Sequence, residues 1–91
     1  MIKLIHNYVV DVSQYNYTLM IDKLKHNKDG KPVYETVGYY SSLSGAIVAA
    51  KENCIKRQFF DSTVSLEEAV QTVNQISQEF SDLLKEVLKN A

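Results

Sequence analysis

The 91-residue chain has ten Lys and Arg residues, eleven Asp and Glu residues and a net charge of −1, and 45% of it is hydrophobic. This composition predicts one globular domain over residues 1–91 with a thin core and excludes a disordered chain. No apolar run approaches the roughly 20 residues of a membrane span. One cysteine, Cys54, excludes an internal disulfide and a multi-cysteine zinc site, so we expect a protein of the reducing cytoplasm.

Apolar residues that alternate with polar ones predict three β-strands in residues 1–40. They lie within residues 2–12, 15–25 and 33–40. The connections between them are too short for crossovers, and Asp29-Gly30 supplies the left-handed backbone of a hairpin loop. We therefore expect an antiparallel β-meander.

Six tyrosines lie at or beside these predicted strands. Strand propensity alone accounts for them, but a protein contact surface and a base-stacking platform are the functional alternatives. On the third strand we expect Val33, Val37 and Tyr39 to face inward. This arrangement leaves Tyr34 and Tyr40 on the open side as candidate protein contacts.

After Ser41 and Ser42 the apolar residues change to helical spacing, which predicts a first helix over residues 43–58. Either serine is a suitable N-cap for this helix. Ser65 opens a capping box and predicts a second helix over residues 65–89. The predicted fold is α+β, a three-stranded antiparallel meander followed by two α-helices.

The second predicted helix is longer than a short sheet can cover, and it stays apolar to its end. Either the apolar side of this helix packs entirely inside the domain, or the C-terminal half of the helix contacts a second copy of the chain or another protein. On the second interpretation, the candidate contacts are Phe80, Leu84 and Leu88.

Catalytic chemistry needs groups that converge, and the sequence offers none at a recognisable spacing. His6 and His26 lack an accompanying acid or nucleophile, and Cys54 lies on the apolar face of the first helix, where we expect it to be buried. Three scattered glycines exclude a phosphate-binding loop. We expect no enzymatic activity, no cofactor and no metal.

Four lysines, Lys23, Lys25, Lys28 and Lys31, cluster around the predicted hairpin loop. Such a loop is either simply solvated or a grip for a phosphate or an acidic partner. Residues 1–57 carry a net charge of +3 and residues 58–91 a net charge of −4. Because the basic part is diluted, we do not favour nucleic acid as the partner.

The series ETVGYYSSLSGAIVAAKENCIKR followed by an SLEEAV helix resembles small proteins encoded by phages and prophages of Gram-positive bacteria. In these proteins a Gly-Tyr-Tyr or Gly-Tyr-Phe series, a Ser-Ser-Leu or Ser-Thr-Leu cap and a following alanine recur before a helix. The resemblance implies a phage accessory protein in the host cytoplasm. The resemblance implies no particular biochemistry, but small phage proteins of this size often bind and block a host defence enzyme, so we expect a role like that of anti-CRISPR proteins.

Residues 15–54 are also similar to the three-stranded DNA-binding domains at the N-terminus of tyrosine recombinases, through the DGKP loop and the helix after Gly-aromatic. This resemblance implies DNA binding by the sheet and the basic loop as the alternative function. The positions that would face DNA carry Thr18, Met20, Asp22 and Glu35, and none of these is basic. A homodimer through the second helix is a further alternative.

Overall fold

The computed structural model describes residues 1–89, and Asn90 and Ala91 lie outside the described residues. Strands precede helices, as predicted, in the order β1 (Ile2–Lys3), β2 (Tyr8–Val12), β3 (Tyr17–His26), β4 (Pro32–Tyr40), α1 (Leu43–Phe59) and α2 (Leu66–Lys89). The chain divides into two compact units, Met1–Ala46 and Ile47–Ala91. The boundary between them falls inside α1.

The first unit holds one antiparallel sheet with strand order β1-β2-β3-β4, so the prediction of three strands is wrong by one. A tight turn splits the expected first strand. His6 and Asn7 have φ values of 55° and 66°, and the Tyr8 N–H donates to the Ile5 carbonyl at 3.2 Å. These are the features of a type I′ hairpin turn. The alternation of apolar and polar residues continues through the turn, so the pattern concealed it.

The loop between β3 and β4 has the left-handed glycine that the sequence predicts, with Gly30 at a φ of 76°. The Asn27 side chain organises the rest of this loop. Its Oδ1 accepts the backbone N–H of Asp29 at 2.9 Å and that of Lys31 at 3.0 Å. The loop is therefore ordered by its own hydrogen bonds.

Register determines which residues share a face of the sheet, because paired residues point to the same side. Tyr8 pairs with Ile21, and Val10 pairs with Leu19. All four side chains are buried, and we call their side the core face. The other side, which we call the second face, includes Met20, Asp22 and their partners on β4.

A β-bulge in β4 changes the predicted faces of its tyrosines. Met20 pairs with Thr36, but the preceding residue, Leu19, pairs with Gly38, so Val37 is an extra residue. One extra residue reverses the alternation beyond it. Tyr39 therefore shares the second face with Tyr34 and is 66% exposed, so the prediction that it faces inward is wrong. Tyr34 and Tyr40 are half-buried on opposite faces, not together on an open side.

Both helices begin at the predicted serine caps. Ser42 Oγ accepts the Gly45 N–H at 3.0 Å, and Ser65 Oγ accepts the Glu68 N–H at 3.2 Å. These bonds satisfy backbone donors that the first turn of a helix leaves without a helical acceptor. The buried apolar residues of the second unit recur at helical spacing and are Ile47, Ala50 and Cys54 on α1, and Ile76 and Phe80 on α2.

Candidate functional site

The end of the sheet that holds the β1–β2 turn also holds a large bulge in β3. Asp22 pairs with Tyr34 and His26 pairs with Pro32, so β3 residues 23–25 lie opposite the single residue Val33. The Asp22 N–H donates to the Asn7 carbonyl at 2.8 Å, which joins the bulge to the β1–β2 turn. Two irregular segments thus meet at one end of the sheet.

Leu24 lies at the centre of this bulge in a conformation that is unfavourable for leucine. Its φ is 57°, in the left-handed region, which costs a residue with a Cβ about 1–2 kcal/mol. Its N–H donates to Asp22 Oδ1 at 2.9 Å. The side chain is nevertheless 71% exposed. A strained backbone that holds a large apolar side chain in water is the kind of outlier that clusters at functional sites.

Two open recesses adjoin Leu24. The first encloses about 290 Å³ and is lined by residues of β1 and the β1–β2 turn, among them Lys3, His6 and Asn7. The second encloses about 310 Å³ and is lined by residues of β3 and β4, which are Lys25, His26, Pro32 and Tyr34. Lys3, Asp22 and Leu24 line both recesses. We call the residues that line either recess the bulge surface.

The charges of the bulge surface are mainly basic. Lys3 and Lys25 line it together with His6 and His26, whereas Asp22 supplies its single carboxylate. One oxygen of that carboxylate already accepts the Leu24 N–H. The surface is therefore suited to negatively charged groups.

The structure brings together two residues that the sequence predicted for different roles. Tyr34, a candidate protein contact, and Lys25, a candidate grip for an acidic group, line the same recess. Lys23 adjoins Leu24 in the bulge, and its Nζ lies 3.7 Å from Glu35 Oε1. This exposed ion pair contributes little to stability.

The other two candidate lysines, Lys28 and Lys31, are exposed residues of the β3–β4 loop and line neither recess. Tyr40 is also separate from the bulge surface, because it lies on the face of the sheet that carries Gly38. Its ring covers that glycine, and a Cβ built on Gly38 would lie 2.7 Å from Tyr40 Oη. The ring thus occupies space that a larger residue at position 38 would need.

The apolar patch predicted on the second helix is smaller in the structure. Phe80 is 0% exposed, so its assignment as a surface contact is wrong. It belongs to the core, and its burial removes its ring from water without any second chain. Leu84 is half-buried, and Leu88 is 70% exposed. Exposure of the three predicted contacts thus increases towards the end of α2.

Cys54 is buried, as the sequence predicts. Burial raises the pKa of the Cys54 thiol; the positive charge of Arg57 lowers that pKa, and the negative charge of Glu79 raises it. A thiol with a raised pKa is mostly protonated at neutral pH and is a poor nucleophile. Within residues 1–89, no three His, Cys, Asp or Glu side chains are placed to share a metal ion.

Leu24 is the residue that sequence reasoning missed. The one usable signal was Asp22, because the side chain of an aspartate can accept the backbone N–H two residues on and so compete with strand pairing.

Comparisons with protein-family models, with curated proteins and with solved structures found no match. Among the described residues, neither helix is both long and apolar enough to cross a membrane.

Proposed function

We propose that this protein is a non-enzymatic binding module that acts by protein–protein contact through the bulge surface. The observation that carries the proposal is Leu24, which is 71% exposed on a left-handed backbone between two recesses. The hydrogen-bonded backbone that carries this side chain is already ordered, so a partner that covers it does not have to order the backbone as well. A half-buried tyrosine, Tyr34, lies in the adjoining recess, and tyrosine is enriched at the centres of protein interfaces.

The proposed partner is a protein of a bacterial host, and the proposed place of action is the host cytoplasm. The resemblance of the GYYSSL segment, 38–43, to small phage proteins supports this proposal. It also supports the finer proposal of an accessory protein that inhibits a host defence system in the manner of an anti-CRISPR protein. The bulge surface would then cover a surface that the defence protein needs.

Affinity capture from a Gram-positive host lysate tests the proposed function. The chain offers a matched pair of variants, because Leu24 and Leu66 are both exposed leucines, at 71% and 80%. We expect the wild-type protein and Leu66→Ala to retain the same host protein, and Leu24→Ala to lose it. Equal retention by both variants would show that the bulge surface is not the contact.

DNA binding through the sheet and the basic loop is the second candidate, and the exposure of Lys23, Lys25, Lys28 and Lys31 supports it. The acidic residues Asp22 and Glu35 beside these lysines oppose it. A mobility-shift assay with duplex and single-stranded DNA at low and high salt tests it, because phosphate contacts weaken steeply as salt rises. Absence of a shift at low salt would remove this candidate.

A homodimer through α2 is a separate proposal that rests on Leu84 and Leu88. If it forms, Leu88→Glu should convert a dimer to a monomer in sedimentation velocity while the far-UV circular dichroism stays unchanged. A wild-type protein that sediments as a monomer at high concentration would exclude the homodimer.

A further inference from the structure

Building on the proposed function, we infer that the bulge surface binds an extended acidic segment of a partner protein. The segment places one carboxylate in each recess and packs an apolar side chain against Leu24. Both recesses are open, and both are lined by Leu24 and by Lys3. One continuous segment can therefore occupy both of them.

The charges of the recesses point to carboxylates as the groups that enter them. In the first recess Lys3 lies with Asn7. In the second, Lys3 lies with Lys25 and His26. Lysine, histidine and amide N–H groups are donors that suit a carboxylate. Asp22, the carboxylate that opposes them, has Oδ1 engaged by the Leu24 N–H at 2.9 Å.

The same surface fits a protein segment better than a nucleic acid. An exposed leucine offers apolar contact area to a side chain, whereas a phosphate backbone has none to offer in return. Carboxylates beside an apolar residue instead match Lys3 and Lys25, which line the recesses next to the exposed Leu24.

Fluorescence anisotropy with synthetic peptides tests the inference. The first probe is a short fluorescein-labelled peptide of aspartate, glutamate and leucine; the second replaces the acids by asparagine and glutamine, and the third omits leucine. We expect the first probe to bind best and its binding to weaken with salt. Lys3→Glu and Lys25→Glu should each weaken it by about tenfold or more, because each replaces attraction by repulsion.

Lys89→Glu is the matched control, because Lys89 is an exposed lysine of α2 that lines neither recess. It makes the same change in net charge, and we expect an effect of less than about twofold. Leu24→Ala should weaken the first probe and leave the leucine-free probe unaffected. Circular dichroism confirms that each variant is folded.

Three results would overturn the inference: no binding of the acidic probe at low salt, equal binding of the neutral probe, or stronger binding of a labelled DNA duplex. The proposed function has its own test in the Leu24-dependent capture from lysate. If the wild-type protein does not bind the acidic peptide but still captures a host protein in a Leu24-dependent manner, the acidic segment is rejected and the protein-binding function is kept. If the protein neither binds the peptide nor captures a host protein through Leu24, the inference and the proposed function are both rejected.

Discussion

Asp22 fixes the backbone of Leu24 in the left-handed region by accepting its N–H through Oδ1 at 2.9 Å. Because Asp22 itself donates its N–H to the Asn7 carbonyl at 2.8 Å, the bulge and the β1–β2 turn hold one another in position. The exposed Leu24 side chain is thus presented by a short chain of hydrogen bonds and not by packing. The left-handed backbone of Leu24 is thus maintained at a cost in stability.

We expect Leu24→Gly to stabilise the protein by up to about 1.5 kcal/mol. Glycine removes the left-handed strain, which is about 1–2 kcal/mol. Against this gain, glycine loses more conformational entropy on folding, which costs about 0.5–1 kcal/mol. Little packing is lost, because the leucine side chain is 71% exposed. Urea unfolding measures the change. Leu24→Val should instead lower stability, since a β-branched residue fits this region worse. A large loss of stability in Leu24→Gly would mean that the side chain serves the core.

Gly38→Ala should destabilise the protein by about 1–3 kcal/mol, because the added methyl group overlaps the Tyr40 ring. The new Cβ would lie 2.7 Å from Tyr40 Oη and 3.1 Å from Tyr40 Cζ. In a Tyr40→Ala background the same change should be neutral or stabilising, since alanine is otherwise better than glycine in a strand. A double-mutant cycle by urea unfolding measures this coupling. Equal costs in both backgrounds would show that the ring is not the obstacle.

Phe80→Ala should lower the free energy of unfolding by about 3–5 kcal/mol, the range for a large buried aromatic residue. Leu88→Ala should change it by less than about 0.5 kcal/mol, because Leu88 is 70% exposed. Thermal unfolding of the wild type and both variants at several protein concentrations measures these costs. A cost for Leu88→Ala that grows with protein concentration would point to burial of Leu88 between copies of the chain.

The stability that the protonated Cys54 thiol contributes should be lost as pH rises. Burial raises the pKa of this thiol in the folded protein above its value in the unfolded chain. The folded protein therefore holds this proton more tightly. The contribution is fully present below the unfolded pKa and declines as pH rises through the folded pKa.

Urea unfolding of the wild type and Cys54→Ala from neutral to alkaline pH measures this decline. We expect the wild type to lose more stability than the variant over that interval. Native Cys54 should also react slowly with iodoacetamide at neutral pH and rapidly after unfolding. Parallel pH profiles for the two proteins would contradict a raised pKa.

Features that depend on a few neighbouring residues could be predicted from the sequence. Ser42 and Ser65 cap the helices because their side chains reach N–H groups three residues away. Gly30 takes a left-handed conformation because the loop requires one and glycine alone adopts it without cost. The burial of Cys54 follows from its position on the apolar side of α1.

Features that depend on pairing between strands were decided only by the tertiary structure. The turn at His6 and Asn7 leaves the alternation of apolar residues intact, so the sequence pattern does not show it. Only the pairing of β2 with both β1 and β3 reveals that the chain reverses there. The extra residue Val37 moves Tyr39 to the second face. No local pattern in the β4 sequence shows that the pairing of β4 with β3 shifts by one residue at Val37.

The candidate site follows the same division. The spacing of apolar residues predicted a small α+β protein, and the sequence alone placed four lysines around one loop. Only the tertiary structure shows that Tyr34, Lys25 and Lys3 lie next to Leu24. The sequence could not show this, because the three residues belong to three different strands, β4, β3 and β1. Burial is likewise collective, and Phe80 and Leu88 are both apolar residues of α2 in the sequence. One lies in the core and the other in water because the surrounding chain covers the first and not the second.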